Sequence, residues 1–188
     1  MAGGRPWRRW QLRTWRAEVI RRVAHPGRGF TQGLIADDGM VYESTGRYGV
    51  SALCRYPLGA DQAEQRAEVP AEFFAEGICR VGDVIWQLTW RERTALKWDA
   101  ATLELIDRVP YNREGWGICA AGDYVMTSDG SSELVRRDPQ AIMNGIAALP
   151  EPGEFLLTGK GWRWIRHVRL KPAREGSSRR RLLAGLSY

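Results

Sequence analysis

The chain has few of the residues from which metal sites and disulfide frameworks are built. Its 188 residues include three cysteines and two histidines, and the cysteines (Cys54, Cys79 and Cys119) match no CxxC or other metal-binding spacing. We therefore expect no metal and no cofactor, and we expect the thiols to be small buried side chains in a reducing compartment. No serine stands in a GxSxG elbow, which argues against a Ser/His/Asp hydrolase.

Long apolar runs are missing as well. None approaches the roughly 20 residues that a membrane helix requires, so no membrane association is expected. The first 23 residues carry seven Arg against one Glu, but no apolar stretch of the kind found in signal peptides follows them. As written, the chain is expected to be cytoplasmic. A misplaced start codon would leave a periplasmic or secreted location open.

Positive charge is abundant only at the two ends. The net charge of +6 combines +6 over residues 1–23, −6 over residues 24–150 and +6 over residues 151–188. The basic balance therefore says little about the folded middle. The whole chain is rich in tryptophan, with nine among 188 residues, and tryptophan either fills a core or lines a flat apolar wall of a site.

Three stretches of the middle repeat one pattern. FTQGLIADDGMVYESTG, FAEGICRVGDVIWQLTW and GWGICAAGDYVMTSDG align on Gly33, Gly77 and Gly117, each followed by Leu or Ile. The runs SALCRYP, TALKWDA and SELVRRD come next, each with leucine in third position and an alternation typical of a strand with one buried face. A period of about 40 residues with Gly and Asp turns indicates four-stranded propeller blades.

The repeat predicts an all-β fold, a β-propeller with about three four-stranded blades in this chain. The predicted blades are residues 26–70, 71–110 and 111–150. Residues 17–24 are interpreted as an outer strand of a ring whose ends meet within one blade, which makes residues 17–150 a partial propeller. Residues 1–16 form a basic N-terminal segment, and residues 151–188 an aberrant Arg-rich tail.

The residue before each repeated glycine has functional interest. Gln32, Glu76 and Trp116 fall at equivalent places on successive innermost strands, and such strands line the channel of a propeller. An apolar neighbourhood raises a carboxyl pKa toward the range useful for proton transfer, and two phenylalanines and two tryptophans flank Glu76 in sequence. Glu76 is then either a working acid/base or one of several polar side chains that fill a channel without chemistry.

These residues resemble the plant-type glutaminyl-peptide cyclotransferases, the glutamine cyclotransferase family of plants and bacteria. The matching motifs, in order between about residues 17 and 140, are FTQGL, VYESTGRYG, EGI, QLTW, EGWGI and SDGSS. The resemblance implies a five-bladed propeller without a metal. It also implies conversion of the N-terminal glutamine of peptides or proteins into pyroglutamate with release of ammonia, so the implied partners are peptides with N-terminal Gln.

The resemblance further implies which residues act. Glu76, the glutamate of the F-x-E-G stretch, would take a proton from the attacking amine and give one to the departing ammonia. The substrate-binding residues that it implies are Phe30, Gln32, Phe74, Trp90 and Trp116. The polar residues of YESTG (Glu43, Ser44, Thr45) and of SDGSS (Asp129, Ser131, Ser132) are interpreted as turn-stabilising. Trp86 is interpreted as a core residue on the same strand face as Trp90.

The pattern stops after Pro150. Arginine dominates the last 38 residues, too few for a fourth and fifth blade at about 40 residues each, and the family's NELE-like stretch, which supplies a pocket asparagine, is absent. One hypothesis is truncation with an out-of-frame tail. No nucleic-acid partner is expected. The exception is the alternative of a genuine basic tail, whose GWRWIRHVRLK could bind nucleic acid or an anionic membrane surface.

Truncation has a consequence for function. An open arc of three blades exposes sheet faces that normally pack on neighbours, which favours self-association through the unpaired blades. The predicted function is glutaminyl-peptide cyclotransferase. The alternatives are a catalytically inactive propeller fragment, a non-enzymatic peptide-binding module and, more distantly, a basic adaptor that acts through its arginine-rich ends.

Overall fold

The computed structural model describes residues 15–26, 29–121, 124–129, 143–159 and 162–172. These residues form fourteen β-strands and no helix, which confirms the predicted all-β class. Within the described part of the chain there is accordingly no helix that is long and apolar enough to cross a membrane.

The first sheet is an antiparallel meander. Its strands, in order, are β2 (Thr31–Asp37), β3 (Met40–Thr45), β4 (Ala52–Pro57) and β5 (Gln65–Glu68). Asp38 and Gly39 connect β2 and β3 with φ values of 46° and 74°. Two consecutive residues with positive φ suit the twist of a tight hairpin, which is why Asp-Gly is favoured at this place.

The second sheet repeats the same connectivity. Its strands are β6 (Ala75–Val81), β7 (Val84–Thr89), β8 (Thr94–Asp99) and β9 (Leu105–Pro110). One hydrophobic core fills the space between the first and second sheets. Its largest members are Tyr42, Leu53, Phe73, Ile78, Ile85, Leu96, Trp98 and Leu103.

The register of the two sheets corrects one detail of the predicted repeat. The sequence alignment put Leu53 and Leu96 at equivalent positions. In the structure Leu53 pairs with Ser44, eleven residues after its glycine, whereas Leu96 pairs with Gln87, ten residues after its own. The shift arises because the loop between β3 and β4 is longer than the loop between β7 and β8.

The third sheet is smaller in the described residues. It consists of β10 (Ile118–Ala121) and β11 (Tyr124–Thr127). The SELVRRD run, together with Ser131 and Ser132, lies outside the described residues. The next strand, β12 (Met143–Ala148), falls within the predicted third blade but belongs to another sheet.

The fourth, closing sheet brings the two ends of the chain together. Its order is β1 (Trp15–Ala24), β14 (Trp164–Pro172), β13 (Glu154–Gly159) and β12. The predicted outer strand at residues 17–24 is confirmed, since β1 is an edge strand paired with β14. Residues 151–188 were predicted to be an aberrant tail outside the propeller. Two strands from this range, β13 and β14, instead form the centre of the closing sheet.

The physical reason is that arginine side chains on β14 find partners within the fold. On β14, Ile165 and Val168 are fully buried, while the guanidinium of Arg169 pairs with Glu154 on β13. Arg166 is also buried, with its guanidinium over the ring of Trp162. Arginines on this strand pair with acids or stack on aromatic rings, so an arginine-rich composition is compatible with a sheet.

The four inner strands line one open channel. In order around it, β12 lies beside β2, β2 beside β6, and β6 beside β10. All four border a central cavity of about 560 Å³. A second core, between the first and closing sheets, fixes one side of this arrangement; its buried members include Leu34, Val41, Tyr56, Leu156 and Ile165.

Close contact between inner strands explains the repeated glycines. A Cβ atom on Gly33 would lie 2.7 Å from the backbone nitrogen of Ile78, and one on Gly77 would lie 2.6 Å from the carbonyl oxygen of Trp116. Neither distance leaves room for a side chain. Gly33 and Gly77, two of the three glycines on which the repeat was aligned, are therefore the points where neighbouring inner strands touch.

A buried cluster around Glu43 links the first sheet to the closing sheet. The Glu43 carboxylate accepts hydrogen bonds from the hydroxyl of Thr31 at 2.5 Å and the hydroxyl of Tyr56 at 2.7 Å, and His25 Nε2 lies 2.8 Å away. The other ring nitrogen of His25 lies 2.7 Å from the carbonyl oxygen of Trp162. Glu43 is fully buried within β3, so its predicted role in a turn is wrong.

The second sheet has a matching arrangement at the equivalent position. Gln87, ten residues after its glycine as Glu43 is, donates to the hydroxyl of Ser44 at 2.8 Å and accepts from the indole of Trp98 at 2.9 Å. Ser44 and Thr45 are likewise buried in β3 rather than placed in a turn. Polar residues at this repeat position thus connect neighbouring strands and sheets inside the core.

Candidate active site

The candidate site lies where the inner strands begin. Gln32 is the second residue of β2 and Glu76 the second residue of β6. The side-chain amide of Gln32 donates a hydrogen bond to Oε2 of Glu76. Trp116 precedes β10, and its carbonyl oxygen accepts the N–H of Gly77 at 2.9 Å. The structure therefore places all three residues at one end of adjacent inner strands.

An aromatic wall stands beside Glu76, centred on Phe74. The ring of Phe74 makes edge contacts with Phe30 at 6.2 Å, Tyr48 at 5.4 Å and Trp90 at 5.6 Å between centroids. These are favourable T-shaped geometries for aromatic pairs. Gly46 leaves space for this wall, because a Cβ atom there would collide with the Phe74 ring.

Trp86 and Trp90, the two tryptophans of the second repeat, lie in different parts of the structure. Trp90 follows the end of β7 and faces the wall just described, so it does not share a strand face with Trp86 as predicted. Trp86 is half-buried under the ammonium group of Lys97, 5.2 Å from its ring, and borders a separate cavity of about 440 Å³ between the second and third sheets. Trp86 therefore lies outside the candidate site.

Sequence reasoning missed Glu92. Its carboxylate accepts a hydrogen bond from the Tyr48 hydroxyl at 2.7 Å and another from the backbone N–H of Phe74 at 3.3 Å. The hydrogen bond to Glu92 raises the pKa of Tyr48 above its ordinary value, because the carboxylate stabilises the protonated phenol. Glu92 thus ties the exposed Tyr48 to the backbone of the aromatic wall.

Glu114 was also missed, although it stands in the quoted EGWGI motif. Its Oε2 atom accepts the indole N–H of Trp90 at 3.1 Å and that of Trp116 at 3.4 Å. A half-exposed tryptophan still needs an acceptor for its N–H. The acidic residue two positions before Trp116 in the motif could have been identified as that acceptor. Two arginines stack on the wall from outside, Arg47 over Phe30 at 4.8 Å and Arg91 over Trp90 at 3.9 Å.

The cysteines lie away from this wall. Cys54 and Cys79 are buried as predicted, and burial raises the pKa of each thiol to about 11. Cys119 is exposed, which corrects the expectation for that residue, because it stands on the channel side of the small third sheet. The described residues contain no group of three or more His, Cys, Asp or Glu side chains that could hold a metal ion.

The site thus consists of one carboxylate held by an amide, an aromatic wall beside it, and two supporting carboxylates at the rim. A family profile described as glutamine cyclotransferase matches residues 3–143. The chain belongs to the glutamine cyclotransferase family. The glutaminyl-peptide cyclotransferase of Arabidopsis thaliana is 32% identical over 127 residues, a match that covers 66% of this chain and 40% of the relative. The chain therefore spans well under half of that family member's length.

A solved structure supports the propeller fold. The crystal structure of the Myxococcus xanthus glutaminyl cyclase matches with a TM-score of 0.73 and 24% sequence identity, over 84% of this chain and 97% of that one. At this identity the similarity bears on the fold alone. Family membership comes from the sequence profile, and the shared fold accounts for the convergence of the inner strands at the candidate site.

Proposed function

We propose that the chain carries a glutaminyl-peptide cyclotransferase site, with Glu76 as its general acid/base. The observation that supports this most directly is the hydrogen bond from Gln32 to Glu76 beside the wall of Phe30, Phe74 and Trp90. A carboxylate fixed against aromatic side chains is suited to proton transfer, because its orientation is set and water is partly excluded. The substrates are peptides or proteins whose first residue is glutamine.

The chemistry requires one proton shuttle. The neutral α-amine of the substrate attacks the side-chain amide carbon, forming the C–N bond of the five-membered lactam. Glu76 accepts a proton from that nitrogen and returns it to the amide nitrogen, after which the C–N bond of the side-chain amide breaks and ammonia leaves. One carboxyl group therefore serves first as base and then as acid, and it ends the cycle as a carboxylate.

The remaining site residues bind and orient the substrate. Phe30, Phe74, Trp90 and Trp116 offer apolar surface to the methylene groups of the glutamine side chain, as ligand pockets usually do. Gln32 holds one oxygen of Glu76, so the carboxylate keeps one orientation while the substrate bends toward the lactam. Such positioning brings the amine close to the carbon that it attacks.

The test is ammonia release from a short peptide that begins with Gln, with the peptide mass measured in parallel. We expect the parent chain to convert the peptide and the Glu76→Gln variant to be about 10²–10⁴-fold slower, the usual contribution of a positioned acid/base. Glu104→Gln is the matched control, since this exposed carboxylate lies in the β8–β9 connection. Equal turnover by parent and Glu76→Gln would refute the role of Glu76.

A second candidate is a non-catalytic module that binds peptide N-termini. The observation in its favour is the contact of Phe74 with Phe30 and Trp90, since this apolar surface can bind a peptide whether or not Glu76 transfers a proton. The same aromatic wall would then hold a peptide without turnover. Peptide binding by a parent chain that releases no ammonia would select this candidate over the enzyme.

A further inference from the structure

Glu114 joins two walls of the candidate site. Its Oε2 atom accepts hydrogen bonds from both Trp90, which follows β7 of the second sheet, and Trp116, which leads into β10 of the third. On the basis of the proposed function, we infer that Glu114 is a positioning residue. It sets the orientation of both indole rings and thereby the affinity of the pocket for the substrate.

The backbone holds Glu114 in place for this role. The N–H of the next residue, Gly115, donates to the carbonyl oxygens of Thr89 at 3.1 Å and Trp90 at 2.9 Å. The hydroxyl of Tyr111 donates to the Thr89 carbonyl at 2.6 Å. A Cβ atom on Gly115 would collide with the Thr89 carbonyl and the Tyr111 hydroxyl. The segment before β10 is therefore tied to the end of β7, which brings Glu114 to the indole of Trp90.

Trp116 is fixed by its backbone from both sides. Its carbonyl oxygen accepts the N–H of Gly77 at 2.9 Å, and its own N–H donates to the carbonyl oxygen of Ser128 at 3.0 Å. Its side chain is nevertheless 45% exposed. Glu114 is thus the group that restrains the orientation of an indole whose backbone is already set.

Arg91 adds a third contact. Its guanidinium stacks on the Trp90 ring at 3.9 Å, and its Nε lies 3.6 Å from Oε1 of Glu114. The Glu114 and Arg91 side chains are 43% and 63% exposed, so this ion pair contributes little to global stability. Within the described part of the chain, the side-chain contacts of Glu114 are instead directed at Trp90, Trp116 and Arg91, which is what a positioning role requires.

The inference predicts a separation of kinetic effects. Removing the Glu114 carboxylate takes away the acceptor that both indoles share but does not touch Glu76 or Gln32. We expect Glu114→Ala to raise KM about tenfold and to change kcat by less than about threefold, since two hydrogen bonds to a charged acceptor are lost from the binding wall. Glu114→Gln keeps a carbonyl acceptor and should restore most of the loss.

The experiment combines kinetics with indole ¹H–¹⁵N spectra. Trp90→Phe and Trp116→Phe assign the two indole N–H signals, and Glu104→Ala serves as the exposed control. We expect Glu114→Ala to move these two signals, leave most other indole signals in place and raise KM, with Glu114→Gln close to the parent. Unmoved signals, or an unchanged KM in Glu114→Ala, would overturn the inference.

Different results contradict the proposed activity and the positioning role of Glu114. A parent chain without turnover contradicts the proposed activity. The inference is then tested by titrating a Gln-initiated peptide, with an affinity loss of about tenfold expected for Glu114→Ala in place of the KM change. An active parent whose KM is the same as that of Glu114→Ala contradicts the positioning role alone. A parent that neither binds nor converts the peptide overturns both.

Discussion

Removing the Glu43 carboxylate should be among the most destabilising single changes in the described residues. Glu43 is fully buried and receives the hydroxyls of Thr31 and Tyr56 together with His25 Nε2. His25 Nδ1 faces the carbonyl oxygen of Trp162, which can only accept, so this nitrogen carries a proton. Nε2 lies 2.8 Å from the Glu43 carboxylate, so His25 and Glu43 form one buried pair.

The expected loss in the free energy of unfolding follows from the groups that lose a partner in Glu43→Ala. His25 loses its buried partner and two hydroxyls lose their acceptor, and removing one member of a buried charged pair costs about 3–5 kcal/mol. Tyr56→Phe removes one hydrogen bond to the carboxylate and should cost about 1.5–3 kcal/mol. The milder variant keeps the prediction testable if Glu43→Ala fails to fold.

The same cluster predicts a pH dependence. Burial raises the pKa of Glu43, but hydrogen bonding and charge from His25, with the hydrogen bonds from Thr31 and Tyr56, outweigh it and leave the pKa below its ordinary value. A lowered folded-state pKa contributes stability above the unfolded value of about 4.5, and this contribution is lost as the pH falls through the folded-state pKa. Glu43→Gln should therefore flatten the loss of stability in acid.

The assay is urea unfolding followed by tryptophan fluorescence, at neutral pH and at several pH values below 5. Glu104→Ala is the control, because its carboxylate is exposed and should change the free energy of unfolding by less than about 0.5 kcal/mol. A free energy of unfolding for Tyr56→Phe that equals that of the parent would refute the reasoning. An acid dependence of Glu43→Gln as steep as that of the parent would do the same.

Two further predictions concern packing and thiol access. Gly77→Ala should lower the free energy of unfolding by about 1–3 kcal/mol, because its Cβ would lie 2.6 Å from the Trp116 carbonyl oxygen; an unchanged urea midpoint would contradict the contact between inner strands. Cys119 should react with a thiol reagent at neutral pH while the two buried cysteines react only after unfolding, so native chains should titrate one thiol and unfolded chains three. Two or more native thiols would contradict the burial.

The repeat was visible in the sequence because glycine was required for a backbone reason. At Gly33 and Gly77 the neighbouring strand leaves no room for a Cβ, so the residue type is the same in each copy and marks the register. Leucine gave no such signal. Leu53 and Leu96 both pack in the core, but their positions relative to the repeated glycines differ by one residue. The difference arises because the loop before Leu53 is longer than the loop before Leu96.

The pairing partner of β1 in the closing sheet could not be predicted from local pattern, although residues 17–24 were predicted as an outer strand. β14 pairs with β1, which is far away in sequence, and neither strand alone shows the alternation of a half-buried strand. On β14 an arginine, Arg166, is buried beside the apolar Ile165 and Val168. Composition therefore suggested a tail, whereas the pairing between chain ends determines the structure.

Some residues of the candidate site could be predicted from the sequence and others could not. Family motifs pointed to Glu76, Gln32 and the aromatic residues, which the structure brings to one end of the inner strands. Glu92 and Glu114 were not found, because their partners are supplied by loops from different parts of the chain. A carboxylate that accepts N–H or O–H groups from two loops is a property of the folded chain and leaves no spacing in the sequence.

The central claim is that Glu76 carries the proton while the surrounding wall binds the peptide. The most direct test measures affinity and turnover of a Gln-initiated peptide on the same preparation of Glu76→Gln. The account predicts an affinity within about threefold of the parent and turnover reduced by at least about 10²-fold. Turnover equal to that of the parent would contradict it.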